Sequence, residues 1–140
     1  MVDASVGVKW FSDRDEDSLA QAFSIRDRHV AGDLLVVVPE LFLYEVANAL
    51  VHKPHIPVEA LELVIEDMFD LGLETTALDV ELLRTSLKLS RQLDITVYDS
   101  CYAALARQRG CPLVTANPRH QGRDLGCYVI PIKAWPQAMP

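Results

Sequence analysis

The sequence predicts an α/β fold: a central, mostly parallel sheet between two layers of helices. Short apolar runs alternate with longer stretches that carry apolar residues at helical spacing. The run at 34–38 is apolar at every position, as expected of a strand that is covered on both faces. The chain of 140 residues is long enough for one hydrophobic core. We therefore expect a three-layer α/β/α architecture and a single domain over residues 1–140.

The expected elements follow in order along the chain. Strands are expected at 1–2, 34–38, 73–75, 112–115 and 128–130. Helices are expected at 5–11, 39–53, 58–70, 79–92 and 97–109, with a last helix that begins at Asn117. Gly110 is the expected C-terminal stop of the helix at 97–109. Right-handed crossovers would place the carboxyl ends of the strands along one edge, where such sheets bind ligands.

The charge balance bears on the kind of partner. The formal net charge is −7, which counts against a nucleic-acid binder unless the acidic groups are concentrated in a site for divalent cations. The sequence contains no bilayer-spanning apolar run and no signal peptide, so a cytoplasmic location without membrane contact is predicted. Local basic groups remain available at Lys9, Arg14, Arg26, Arg28, Arg119 and Arg123.

The cysteines and histidines give little indication of a metal site. The three cysteines lack metal-ligand spacing and have apolar neighbours, so small buried residues are expected. His52 and His55 are separated by Pro54, which favours a helix end and a loop over a pair of ligands on one helix.

Two aspartates each have an ordinary structural explanation. Asp3 follows the first strand and can cap the next helix, and Asp99 matches a capping pattern that begins at Thr96. Asn117, followed by Pro118, is likewise explained as a helix cap.

Glu45 is less easily explained. It lies in an apolar helix whose polar stripe consists of Glu45, Asn48 and His52, and a narrow solvated face and a functional role are evenly balanced there. The caps and this helix nevertheless point Asp3, Glu45 and Asp99 toward one edge of the sheet. Converging carboxylates repel each other unless a cation is present, and oxygen ligands of this kind suit Mg²⁺ or Mn²⁺. Metal-assisted hydrolysis is the expected chemistry.

Four blocks of the sequence resemble, in order, the signature blocks of PIN-domain ribonucleases, most closely VapC-type toxins of toxin–antitoxin pairs. They are Val2-Asp3-Ala4-Ser5-Val6, Tyr44-Glu45-Val46-Ala47-Asn48-Ala49-Leu50, Thr96-Val97-Tyr98-Asp99-Ser100 and Leu113-Val114-Thr115-Ala116-Asn117. The resemblance covers nearly the whole chain.

The resemblance implies an endoribonuclease that depends on Mg²⁺ or Mn²⁺, acts on RNA, forms a homodimer and is inhibited by a cognate antitoxin protein. Asp3, Glu45 and Asp99 match acidic positions that are catalytic and bind the metal. Supporting roles are implied for Ser5, Thr115, Asn48 and Asn117. Asn117 departs from the acidic residue that is usual in the fourth block, so the number of bound metals stays open.

Rival interpretations differ in weight. A phosphoacceptor domain would need adjacent acidic residues after the first strand, and an Asp-x-Asp phosphatase would need an acid at Ser5. The stronger alternative is a catalytically degenerate PIN-like domain that binds RNA or protein, because Asn117 removes a charge.

Overall fold

A computed structural model describes residues 1–14, 16–120 and 123–136, and it confirms the α/β class. The helices are α1 (Ala4–Gly7), α2 (Leu19–Val30), α3 (Leu41–Val51), α4 (Val58–Asp70), α5 (Val80–Leu93) and α6 (Val97–Arg109). The strands are β1 (Val37–Pro39), β2 (Glu74–Thr76), β3 (Leu113–Thr115) and β4 (Val129–Pro131). Short 3₁₀ helices cover Val8–Trp10 and Ile132–Ala134.

The strands pair in parallel, as the sequence predicts. β1 pairs with β2 and β3 pairs with β4. Val2 forms a parallel bridge with Val114, which is what remains of the strand expected at 1–2. Within the described residues the sheet consists of these two pairs and the bridge rather than one continuous ladder. The bridge fixes Asp3 beside the carboxyl end of β3.

One cluster of buried apolar side chains joins the helices to the strands. Helix α6 is its centre, because every residue from 100 to 106 is buried. A helix that is buried on all sides belongs to the interior of a fold. Phe42 and Val46 of α3 and Val6 of α1 are also fully buried. Burial of each such side chain contributes roughly 1.5–3 kcal/mol to the stability of the fold. Helices α1, α3 and α6 are therefore held rigidly by the core.

Several predicted elements require correction. Helix α2 was not predicted, and the helix expected at 5–11 is divided into α1 and the 3₁₀ helix at Val8–Trp10. The described residues after Asn117 form turns rather than the expected helix, since the backbone N–H of His120 donates to the Asn117 carbonyl. The stretch after Asn117 also includes residues 121–122, and the domain range 1–140 further includes residues 15 and 137–140; all of these lie outside the described residues. No described helix combines the length and apolar character needed to cross a bilayer.

Candidate functional site

Asp3 caps helix α1 and faces the interior. The Ser5 backbone N–H donates to Asp3 Oδ1 over 3.1 Å, and the Ser5 hydroxyl donates to the same oxygen. The Thr115 hydroxyl, at the end of β3, donates to Asp3 Oδ2. The residue is only 3% exposed, so these donors compensate for most of the hydration that its carboxylate loses. Asp3 therefore serves as both a cap and a fixed carboxylate.

Asp99 lies in the first turn of α6, where the helix dipole favours a negative charge. Its backbone N–H donates to Thr96 Oγ1 over 3.0 Å, and the Thr96 hydroxyl donates to Asp99 Oδ2 over 2.9 Å. In the capping pattern that the sequence matches, the acidic side chain accepts from the backbone N–H of the first residue. Here the Asp99 carboxylate accepts from the Thr96 hydroxyl instead. The close contact with His120 lowers the pKa of Asp99, burial opposes the shift, and the hydrogen bond from Thr96 lowers the pKa further. The other oxygen, Oδ1, faces His120.

His120 joins the two aspartates, and the sequence did not identify it. Its ring is 1% exposed, with Nδ1 3.3 Å from Asp3 Oδ2 and Nε2 3.0 Å from Asp99 Oδ1. The Nε2 contact is close but does not have the alignment of a hydrogen bond. Burial opposes protonation of the imidazole, but the contacts with Asp3 and Asp99 outweigh it and raise the pKa of His120 to about 9. A cationic side chain therefore lies between the two acids.

Glu45 enters the site from α3. The Tyr102 hydroxyl donates to Glu45 Oε2 over 2.5 Å. Burial raises the pKa of Glu45, the Tyr102 hydrogen bond opposes the shift, and the negative charges of Asp99 and Asp3 raise the pKa further. Tyr102 was also missed, although it lies three residues after Asp99 and so on the same face of α6.

The supporting residues divide into two groups. Ser5 and Thr115 contact Asp3 directly, and each hydroxyl also accepts a backbone N–H over 2.9 Å, from Ala116 and Asn117 respectively. Asn117 is next to this network, but its Oδ1 accepts the Arg119 backbone N–H over 3.0 Å and so caps its own turn.

Asn48 lies elsewhere. Its side chain is exposed and borders a groove between α3 and α4 that includes Leu61 and Met68. The structure therefore brings Asp3, Glu45, Asp99, Ser5 and Thr115 together with His120 and Tyr102, but it does not bring Asn48 to the carboxylates.

The basic residues fall into two groups, one buried in the fold and one beside the acidic site. Lys9 is 4% exposed and its Nζ lies 2.7 Å from Glu16 Oε2, so it is part of the interior and does not form a surface contact for substrate. Arg119 and Arg123 instead line an open cleft of about 420 Å³ with Asp99. The Arg123 guanidinium also donates to the Leu93 carbonyl at the end of α5.

The side chains of the site are of the type that binds a divalent cation, but they are not arranged around a common metal position. The carboxylates of Asp3, Asp99 and Glu45 are the hard oxygen donors that Mg²⁺ and Mn²⁺ prefer. No three His, Cys, Asp or Glu side chains within the described part of the chain are gathered around one ion position. The cause is visible in the contacts: His120 lies between the aspartates, and Glu45 Oε2 is bonded to Tyr102.

A family model described as the PIN domain matches residues 1–124. The match includes every site residue described above, from Asp3 to His120. No curated protein matches the chain.

Proposed function

Because the chain belongs to the PIN-domain family, whose members are typically nucleases that use divalent metal ions, we propose that it is a metal-dependent endoribonuclease. The observation that carries the proposal is that Asp3 and Asp99, from two separate elements, both contact His120, while Glu45 of α3 is near enough for their negative charges to raise its pKa. Negatively charged carboxylates that lie close together in a half-buried site lower the stability of the fold unless a cation binds to them. The proposed nuclease domain covers residues 1–140 and acts in the cytoplasm.

The proposed roles follow from the contacts. Asp3 and Asp99 would hold Mg²⁺ or Mn²⁺, with Glu45 as the third carboxylate. When bound, the cation would supply Lewis-acid stabilisation of the phosphodiester charge. Ser5 and Thr115 hold Asp3 in one orientation through their hydroxyl groups. Tyr102 fixes Oε2 of Glu45, which leaves Oε1 available to a metal or a water.

The cleft beside Asp99 supports an RNA substrate. A protein with a formal net charge of −7 needs local cations to approach a polyanion. Arg119 and Arg123 line this cleft next to a proposed metal ligand, so they can contact phosphates that flank the scissile bond. We expect the RNA backbone to follow this cleft.

We further propose that the protein is the toxin of a type II toxin–antitoxin pair and forms a homodimer. Exposed apolar side chains of Tyr44, Leu78, Leu83 and Tyr98 surround a groove of about 280 Å³ between α3, α5 and the start of α6. Exposed apolar surface of this kind supports docking of a second copy there. The cognate antitoxin would reach the acidic site with a basic side chain.

The decisive experiment is cleavage of a small-RNA mixture by the purified chain with Mn²⁺, with Mg²⁺ and with chelator. We expect metal-dependent cleavage that falls at least about 100-fold in Asp99→Asn. Asp79→Asn is the matched control, because Asp79 caps α5 through its side chain but lies outside the site. Cleavage that persists in chelator, or in Asp99→Asn, would overturn the proposal.

A second candidate function is a degenerate module that binds RNA or protein without cleaving. The uncharged Asn117 and the His120 contact with both aspartates favour it. Asn117→Asp separates the two candidates: increased cleavage would show that the wild-type site is catalytic but poor in metal. RNA binding without cleavage in either protein would favour the module.

A further inference from the structure

His120 contacts the same two carboxylates that the proposed function assigns to a metal. Nδ1 approaches Oδ2 of Asp3 and Nε2 approaches Oδ1 of Asp99, at 3.3 and 3.0 Å. The two acids come from different elements, the cap of α1 and the first turn of α6. The ring therefore occupies the space between two carboxylate oxygens that one cation would have to share.

The surroundings of the ring set it apart from an ordinary buried histidine. His29, for comparison, has its Nδ1 within 3.3 Å of the Leu34 carbonyl and the Val36 backbone N–H, so it anchors a local loop. Both nitrogens of His120 face acid side chains instead, with the Thr115 hydroxyl 3.5 Å from Nδ1. The His120 ring thus takes the position of a counter-ion.

We propose that His120 is an internal competitor for the divalent cation, so that metal binding requires the ring to leave the space between Asp3 and Asp99. This inference rests on the proposed metal-dependent function and adds a regulatory element to it. The ring already fills the space between Asp3 Oδ2 and Asp99 Oδ1, so a cation that bridges these two oxygens would have to replace it. Only molecules in which the ring is displaced can then bind the metal. The smaller the fraction of such molecules, the weaker is the apparent metal affinity.

The first test is a Mn²⁺ titration of the full chain, with free Mn²⁺ followed by electron paramagnetic resonance. His120→Gln keeps a polar side chain but removes the imidazole ring from between the aspartates, and we expect it to bind Mn²⁺ about tenfold more tightly than wild type. Arg119→Gln is the matched control, because Arg119 places a positive charge near Asp99 without contacting the carboxylates. We expect its affinity to change less than twofold.

A second measurement needs no substitution at the site. The ring carbon resonances of His120 and His29 are followed by NMR while wild-type protein is saturated with Mg²⁺. We expect the His120 signals to move because the ring leaves its position, and the His29 signals to stay. This arm remains decisive if His120→Gln does not fold.

The outcomes separate this inference from the proposed function. Unchanged or weaker Mn²⁺ binding in His120→Gln, equal tightening in Arg119→Gln, or His120 signals that stay in place while Mg²⁺ binds would each overturn the competition and leave the nuclease intact. Absence of Mn²⁺ binding at millimolar concentration in wild type and both variants would overturn the metal-dependent function itself, and the competition with it.

Discussion

Two clusters of charged side chains in the described part of the chain each include buried members, and they are neutralised very differently. In the acidic site, Asp3 and Asp99 share the single imidazole of His120, and Glu45 has a tyrosine for a partner. In the lysine cluster, defined as Lys9, Glu16, Asp17, Lys53 and Lys133, acids and cations are nearly matched. Lys9 and Lys53 each lie 2.7 Å from a different oxygen of Glu16.

The pKa values show the consequence of this difference. Burial raises the pKa of Glu16, but hydrogen bonds and charges from Lys53 and Lys9 outweigh burial and lower it below its usual range. Burial also raises the pKa of Glu45, and there the neighbouring acids Asp99 and Asp3 add to the increase. The lysine cluster is thus organised for stability. The acidic site keeps an excess of negative charge that costs stability, as expected where a bound cation is needed for function.

The largest expected effect is loss of stability on Glu16→Gln. The substitution removes the charge that Lys9, with a side chain 5% exposed, contacts most closely. Among the acids that the structure describes, it leaves that ammonium group with the more distant Asp17. Breaking a buried ion pair from one side costs about 3 kcal/mol in the free energy of unfolding. Urea denaturation of both proteins in metal-free buffer measures the difference.

Asp17→Asn is the control within the same cluster. The Asp17 side chain is 61% exposed, so loss of its contacts with Lys9 and Lys133 should cost far less stability than Glu16→Gln does. Equal losses in both variants would show that the cluster is ordinary surface charge, and the contrast with the acidic site would disappear.

Much of this fold could be predicted from local patterns. Helices α3 to α6 and strands β1 to β4 lie within about three residues of their predicted positions, because apolar periodicity and caps act locally. Helix α2 was missed because only Ala22 and Ile25 of its residues are buried and its start at Ser18 has no side-chain cap. The packing of α2 involves instead a contact between different elements, in which the Trp10 indole N–H donates to the Ala22 carbonyl.

The three acids of the proposed site could be named from the sequence, but the side chains that contact them could not. Asp3, Glu45 and Asp99 stand out in the sequence because the predicted topology gives them a common edge. His120 was hidden because the chain after Asn117 turns instead of forming a helix, and only that turn brings the ring to the aspartates. The buried position of Lys9 could not be predicted because its partner Glu16 is seven residues away in the sequence and no local pattern connects them.

Gly7→Ala is expected to have the next largest effect, and it tests how firmly the acidic site depends on packing. A Cβ at Gly7 would lie 2.7 Å from Phe42 Cε2 and 2.8 Å from Val46 Cγ2, where no side chain fits without movement. We expect a loss of about 2 kcal/mol, measured by urea denaturation. Glu45 lies between Phe42 and Val46 in α3, so RNA cleavage should fall as well.

A double-mutant cycle with Phe42→Leu supplies the control for Gly7→Ala. The smaller side chain makes room for the new methyl group, so the two substitutions together should cost less than the sum of their separate effects. Simple additivity would show that α1 and α3 do not press against each other at this point.

Acid should weaken the lysine cluster in a defined direction. The lowered pKa of Glu16 means that its ion pairs stabilise the protein fully above the usual value of 4.5, and that this contribution is lost as the pH falls through the lowered folded-state value. The difference in unfolding free energy between wild type and Glu16→Gln should therefore be constant near neutral pH and shrink in acid. A difference that grows on acidification would reverse the assigned sign.

The smallest expected effect on stability is that of Glu45→Gln, the same chemical change made in the acidic site. The new amide oxygen can still accept the Tyr102 hydroxyl hydrogen bond, and the substitution relieves repulsion from Asp3 and Asp99. In metal-free buffer the free energy of unfolding should stay constant or rise by up to about 0.5 kcal/mol. RNA cleavage by the same variant should nevertheless be lost, since a proposed metal ligand is gone. A loss of stability as large as that of Glu16→Gln would mean that Glu45 is held by an attractive partner, and the acidic site would then be as structural as the lysine cluster.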